Sequence, residues 1–497
     1  MSYYESHSRW RLWPILFGLG VGVLVYVLLG GQHGWTPEAR RVAAVGALMA
    51  SWWMTEALPI EATGLLPIAL FPLLGIAPLD KAAAPYADKI IFLFLGGMLL
   101  GQTMERWNLH TRFSLRVISL LGASPSRLIG AFLLAAALLS MWVSNTAATV
   151  MMLPIGASVA SWVREQRRAA ASHEAHTASD RLDDELGAAI VLAIAFGASI
   201  GGVGSIIGTP PIAQFAAYVN RLADQNGGER VTFFTWLRLG LPTLLIMLPA
   251  AWFVLSRMAF RFPREESGDI RPRMRQMLTS LGPMSAPQYL TLAVFAGAAI
   301  LWVGGHWLEI EDSVIAIGAA VLLFIIPVRD GDGPRRSLLT WREAERIPWG
   351  VLLLFGGGLS LAQAIKSTGV DALIAAGADG LAGLPLLPLL WIIALVTIIL
   401  TEFTSNTALV AAGLPVAEAV ASRLGVPGAA VLVTMTLTAS LGFMLPAGTA
   451  PNALIFASGR VSMKQMMRAG FRLDVLAAVL VPLLVLGALR AGFLPGA

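Results

Sequence analysis

Apolar runs recur along this chain from its twelfth residue almost to its end, separated by short polar joints. Crossing roughly 30 Å of hydrocarbon as helix takes about 20 apolar residues. Runs at 12–30, 41–58, 60–76, 236–260, 288–307 and 312–328 reach or approach that length, and a Gly-rich apolar segment lies at 90–104. The alternation of about ten residues that marks barrel strands is missing, so the pattern predicts an all-α polytopic membrane protein. The first run follows a polar start containing Arg9 and Arg11, with no small-residue cleavage pattern after it. It reads as a spanning helix with a cytoplasmic start, not a cleaved signal.

Three stretches of the first half depart from the simple pattern. At 128–160, two apolar arms flank Ser144-Asn145-Thr146. Each arm gives about 20 to 25 Å of helix, too short to cross, which predicts a re-entrant hairpin with the tripeptide at its tip. A polar joint, 164–185, reads as a solvated loop or a short amphipathic helix. The next run, 186–218, is interrupted by Ser199-Ile200-Gly201-Gly202 and by Gly208-Thr209-Pro210-Pro211. Such a concentration of glycine and proline does not hold an unbroken helix, so the run reads as a broken helix exposing backbone near the bilayer middle.

The same order returns later in the chain. Phe94-Leu95-Gly96-Gly97 matches Leu354-Phe355-Gly356-Gly357 at an offset of 260, and the tripeptide matches Ser405-Asn406-Thr407 at 261. Ser199 and Gly201 match Ser440 and Gly442 at 241, and Gly208-Thr209 matches Gly448-Thr449 at 240. An ordered set of matches marks an internal repeat, with a second hairpin near 388–421 and a second broken helix near 428–458. Inverted repeats insert equivalent broken elements from opposite faces, so the two tripeptides are expected to meet near the midplane.

Composition agrees: 56% of the 497 residues are hydrophobic and 13% charged. The net charge of +5 does not indicate nucleic acid, because the arginines cluster in the joints, as positive-inside anchoring requires. With no cysteine, disulfides, thiolate catalysis and Cys-ligated metals are excluded. No nucleophile–base pair or His-x-x-x-His spacing is evident, so the reading is of a protein that is not an enzyme. Trp10, Trp13, Trp35, Trp52, Trp53, Trp302, Trp307 and Trp349, near run ends, read as interfacial anchors.

The chemistry left over is polar and embedded. Hydroxyls and amides in hydrocarbon need partners. At a hairpin tip, helix N-termini favour anionic oxygens, while carbonyl and side-chain oxygens suit a small cation. Ser199, Gly201, Gly202, Gly204 and Thr209 in the first half, with Ser440, Gly442, Ala447 and Gly448 in the second, are placed to offer carbonyls and hydroxyls opposite the tips. Among the embedded ionisable residues Glu56, Glu61, Asp312 and Glu402, only Glu402 adjoins a tip, where it either orients the tip or caps a helix. No Lys or Arg is embedded near either tip, so an anion there would depend on dipoles, hydroxyls and a co-bound cation.

Trp142-Val143-Ser144-Asn145-Thr146-Ala147, Ser199-Ile200-Gly201-Gly202, Gly208-Thr209-Pro210-Pro211, Thr401-Glu402-Phe403-Thr404-Ser405-Asn406-Thr407-Ala408 and Phe443-Met444-Leu445-Pro446 with Pro451-Asn452 resemble the divalent anion:sodium symporter family. The resemblance spans nearly the whole chain. It implies a homodimer in the inner (cytoplasmic) membrane, whose scaffold domain holds the interface while a transport domain moves as an elevator. On that pattern residues 1–89 and 236–348 are scaffold, and 90–235 and 349–497 carry the transport elements. It implies that Ser144, Asn145, Thr146, Ser405, Asn406 and Thr407 surround the substrate. Two or more Na+ sites would use Asn145, Ser199, Gly201, Gly202, Asn406, Ser440, Gly442 and Gly448. Glu402, Thr209, Thr449 and Asn452 would support the tips. The chain departs from the family at Ile212, where Asn usually follows Pro-Pro, although Asn452 stands at the matching place. The implied activity is sodium-coupled import of a C4 dicarboxylate such as succinate, malate or fumarate. Sodium-independent dicarboxylate exchange and sodium-coupled citrate or sulfate transport are the alternatives.

Overall fold

The structure, a computed structural model, describes residues 12–121, 124–170, 176–260, 262, 271–329 and 333–494; at 166–170, 176–184, 226, 271, 306 and 307 it describes backbone only. The polar start, the extreme tail and the centre of the 164–185 joint lie outside the described residues.

Helices α1 (Leu12–Leu28) and α2 (Pro37–Thr55) form an opening pair. Thr36 caps α2 by accepting from the Ala39 N–H, and Pro37 fits the first turn, where no N–H is needed. The third apolar run is not one span: it forms α3 (Ile60–Thr63) and α4 (Leu66–Leu73), followed by α5 (Leu79–Ala83). Pro67 and Pro72 remove backbone donors and shorten it. Asp88 caps α6 (Lys89–Arg106), and the amphipathic α7 (Leu109–Leu121) comes next.

The predicted first hairpin is present as α8 (Pro125–Ser140) and α9 (Asn145–Ala170), and the first broken helix as α10 (His176–Gly202) and α11 (Pro210–Asn226). Because α9 and α10 run on into the 164–185 joint, that joint is largely helical: its alanines, glutamates and arginines favour helix beyond the membrane edge. Then follow α12 (Phe233–Phe253), which ends in a wider π-type turn, α13 (Arg271–Ser280), α14 (Ala286–Leu308) and α15 (Asp312–Ile325). A small hairpin, β1 (Pro327–Arg329) antiparallel to β2 (Arg335–Ser337), leads to α16 (Trp341–Ala344), α17 (Trp349–Ser367) and α18 (Val370–Ala375). The second hairpin is α19 (Leu386–Phe403) with α20 (Asn406–Leu424), the second broken helix α21 (Gly428–Ala439) with α22 (Ala450–Ala457), and α23 (Met463–Arg490) closes the fold.

Among the described residues, ten helices are long and apolar enough to cross a membrane, which makes this a multi-pass membrane protein. In one group α10 packs along α8 and α9, α21 sits against α19, α20 and α23, and α22 lies on α9 and α10. In another, α15 lies along α6 with α14 beside it, and α17 covers α3 and the 84–87 turn. Small residues permit these close approaches. A Cβ on Gly96 would come within 2.6 Å of the Ala316 backbone, and one on Gly357 within 2.1 Å of the Gly64 carbonyl.

Three of the tryptophans differ from expectation, whereas Trp13 and Trp349 are exposed and the side chains of Trp10 and Trp307 lie outside the described residues. Trp52, Trp53 and Trp302 are buried, and their indoles donate to the carbonyls of Ile15, Ile60 and Asp312. Their N–H groups fasten helices together instead of meeting lipid headgroups.

Candidate functional site

Each hairpin meets the break of its own repeat through a polar side chain, Asn145 in the first half and Thr401 in the second. In the first half, the Asn145 carboxamide turns one heteroatom toward Ser140 Oγ at 2.6 Å and toward the carbonyls of Ala198 and Gly208, each at 3.2 Å. Presented as nitrogen, that atom donates to the carbonyls; presented as oxygen, it completes an all-oxygen cluster of the kind a small hard cation holds. Glycine makes room for it, since a Cβ on Gly202 would lie 2.2 Å from Asn145 Oδ1. Gly208 is confined in the same way, its missing Cβ being 2.5 Å from the Gly202 carbonyl and 2.8 Å from that of Ser140.

The second half brings matching residues together, with the hydroxyl instead of the carboxamide reaching the break. Thr401 Oγ1 lies 2.6 Å from Asn406 Oδ1 and 2.8 Å from the Ala439 carbonyl. One hydroxyl proton serves one acceptor well, so two acceptor oxygens compete for a single donor. Ser140, Asn145 and Ala198 correspond to Thr401, Asn406 and Ala439 at the repeat offsets of 261, 261 and 241. Ser140 and Thr401 were missed in the sequence. A hydroxyl five residues before each asparagine, at the same offset as the tripeptides, was the available signal.

The remaining candidates divide. Ser144 caps α9, its Oγ accepting from the Ala147 N–H at 3.3 Å, while Thr146 is exposed. Ser405, Asn406 and Thr407 are half-buried at the start of α20. Ser199 is fully buried with no hydrogen-bond partner for its Oγ, whereas Ser440 Oγ bonds back to the Thr436 carbonyl. Gly201 presses on α8, where a Cβ would come within 2.2 Å of the Ala137 carbonyl, so close helix packing alone requires glycine there.

The second break is held by acid groups. Glu402 accepts from the N–H of Met444 at 2.9 Å and of Leu445 at 2.6 Å, and Asp474 on α23 accepts from Phe443 at 2.9 Å. Glu402 therefore secures the break beside its own tip, and the glycines it touches, Gly442 and Gly448, leave room for its carboxylate. Asp474 was missed because it lies 72 residues beyond Glu402, near the polar start of a long helix. In the first half donors do this work: Ser205 Oγ donates to the Met141 carbonyl and the Trp236 indole to that of Val203. Thr209 and Thr449 start α11 and α22, and Thr449 Oγ1 accepts from the Asn452 N–H. Asn452 donates to the Leu445 carbonyl while its own buried oxygen has no partner; the matching Ile212 is fully buried.

The two halves also interlock. The arm α9 packs on α22 and the arm α20 on α11, and the Phe196 ring of one repeat meets Phe443 of the other edge-on, 5.0 Å between centroids.

The family described as "Sodium:sulfate symporter transmembrane region" matches residues 10–490. The chain belongs to this family. Its members are secondary transporters, so the chain is a carrier and not an enzyme. A sodium-dependent dicarboxylate transporter, SdcS, of Staphylococcus aureus strain RF122 is 37% identical over 483 residues, covering 95% of this chain and 90% of the relative. The SdcS of strain NCTC 8325 is 38% identical over 452 residues, covering 89% and 85%. Among solved structures, the Alcanivorax borkumensis YdaH transporter shares the fold with a TM-score of 0.55 at 13% identity, covering 97% of this chain and 99% of that one.

Proposed function

We propose that the chain imports C4 dicarboxylates together with sodium. The carrying observation is the repeated cluster of a hydroxyl, a carboxamide and a helix-end carbonyl, Ser140 with Asn145 and Ala198, and Thr401 with Asn406 and Ala439. Each cluster has the oxygen donors that suit Na+, and each adjoins a helix N-terminus suited to a carboxylate. A dianion between two such places is neutralised by the ions beside it, so each species strengthens the binding of the other. The SdcS relatives, named as sodium-dependent dicarboxylate transporters, support the substrate class.

In this reading α8–α12 and α19–α23 form the moving body. Helices α1–α6 and α14–α18 form the frame, including α6, because it packs along α15. The amphipathic α7 and α13 link the two, joined where buried Arg112 donates to the carbonyls of Leu281, Gly282 and Pro283. The frame also supplies the contact between two copies in a homodimer. Sodium-independent exchange is the second reading, favoured by Ile212, which contributes no amide beside the first break.

Uptake of labelled succinate into proteoliposomes separates the readings. Symport requires an inward sodium gradient, whereas exchange requires internal succinate and ignores sodium. Asn145→Ala and Asn406→Ala are expected to abolish uptake while leaving a folded protein by size-exclusion chromatography. Normal uptake by both variants overturns the proposed site.

A further inference from the structure

Several polar contacts join the two groups of helices, and they gather at one end of the bundle. Arg221, near the end of α11, donates from Nε to Asp88 Oδ2 at 2.9 Å, while Asp88 also caps α6. Arg221 further reaches the Pro85 carbonyl at 3.4 Å. Glu418 on α20 accepts from Tyr218 of α11 at 2.6 Å and pairs with Lys366 at the end of α17 at 3.3 Å. Between α11 and α12, Arg230 pairs with Glu311 at 2.9 Å, and the Phe233 N–H donates to Asp312 at 2.6 Å. Lys89 and Glu311, which pair at 3.4 Å, both belong to the frame.

The location is informative. These contacts use the starts of α6, α12 and α15 and the ends of α11, α17 and α20. The opposite ends of α6, α12 and α15 lead into the arginine-rich joints that the positive-inside rule assigns to the cytoplasm. The contacts therefore lie at the extracytoplasmic face. Near the other face, the ion pairs of Glu343 with Arg106 and Arg336 stay within the frame.

Resting on the two-body reading above, we propose that Asp88–Arg221 and Lys366–Glu418 form an extracytoplasmic latch. It holds the substrate-bearing body against the frame in the conformation seen here and opens once in each transport cycle. Both pairs are partly shielded, with side chains 12–34% exposed, so solvent weakens them less than it weakens Arg230–Glu311, whose side chains are 46% and 50% exposed. They also bridge elements that need no such contact to fold, since Asp88 already caps α6 and Glu418 already has Tyr218. Buried Gln214 lies in the same seam, 3.7 Å from where a Cβ of Gly358 would stand, with neither amide atom hydrogen-bonded. It opposes the closed state that the latch favours, and such a balance suits a contact made and broken repeatedly.

The absence of cysteine makes the test direct. The variant Asp88→Cys/Arg221→Cys is reconstituted, bridged with a short bifunctional methanethiosulfonate, assayed for succinate uptake, and reduced. Bridging is expected to stop uptake, reduction to restore it, and the sodium-dependent stabilisation by succinate in a thermal shift to survive bridging. Lys89→Cys/Glu311→Cys, with both ends in the frame, should transport when bridged. Undiminished uptake by bridged Asp88→Cys/Arg221→Cys overturns the latch; if that variant does not fold, Lys366→Cys/Glu418→Cys takes its place under the same criterion. Absence of uptake by the wild type refutes the transport reading, and the latch is then judged by spin labels on Gln32→Cys and Glu229→Cys. Their distance distribution should widen when Arg221→Gln and Lys366→Gln are added, and an unchanged distribution rejects it.

Discussion

Replacing Thr401 by valine tests the cation cluster with little change of shape. The side chain is fully buried, and its hydroxyl is 2.6 Å from Asn406 Oδ1 and 2.8 Å from the Ala439 carbonyl. Valine fills the same volume but removes one oxygen ligand and the donor that orients the asparagine. A polar contact to a charged group contributes about 1.5–3 kcal/mol, and losing the oxygen that makes it corresponds to a weakening of the binding constant of about 10- to 150-fold. The expected result is a half-saturating sodium concentration for succinate uptake raised within that range, with Thr401→Ser close to wild type. Thr438→Val is the control: it also deletes a buried hydroxyl, but one that bonds only to the Thr434 and Met435 carbonyls within its own helix. It should lower thermal stability and leave the sodium dependence alone. Equal half-saturating sodium in wild type and Thr401→Val refutes the assignment of Thr401 to a cation position.

Other expectations concern the scaffold of the site. Gly470→Ala places a Cβ 2.3 Å from the Phe443 carbonyl, a backbone atom that cannot move aside, whereas Gly413→Ala meets only the flexible tip of Met435. Overpacking costs typically 1–3 kcal/mol, about that range being expected for Gly470→Ala and clearly less for Gly413→Ala in thermal unfolding. In the first turn of α16, burial pushes the Glu343 carboxyl up, but hydrogen bonds from Arg336, from the Thr340 backbone and hydroxyl, and from Arg106 outweigh it and hold the group at about 2, below its ordinary 4.5. A depressed carboxylate stabilises the fold above its unfolded value and ceases to do so as pH falls through the folded one. The melting temperature of wild type should therefore exceed that of Glu343→Gln at neutral pH, with the difference closing between about 4.5 and about 2; a gap that persists at the acid end contradicts the pairing.

Both hairpins and both broken helices were legible in the sequence because their signals are local. A tripeptide inside an apolar run, or a cluster of glycine and proline, has few structural solutions in hydrocarbon. What was hidden depends on tertiary neighbours. Ser140 follows Leu138 and Leu139 and reads as an ordinary helix hydroxyl, and only contact with Asn145 gives it a role. Ala198 and Ala439 contribute carbonyls, which side-chain chemistry cannot advertise. The buried indoles of Trp53 and Trp302 were misassigned because an amphipathic ring suits a lipid interface and a buried hydrogen bond equally well. The third apolar run looked long enough to span as one helix, yet its prolines divide it into α3 and α4.

The two breaks enter their second helices alike, through extended Thr209 and Thr449, but are not fastened alike. Carboxylates grip three consecutive amides in the second, while a serine and an indole hold carbonyls in the first. Duplication has thus kept the entry to the second helix while letting the fastening diverge, and either half can be retuned by substitution without copying the change into its twin.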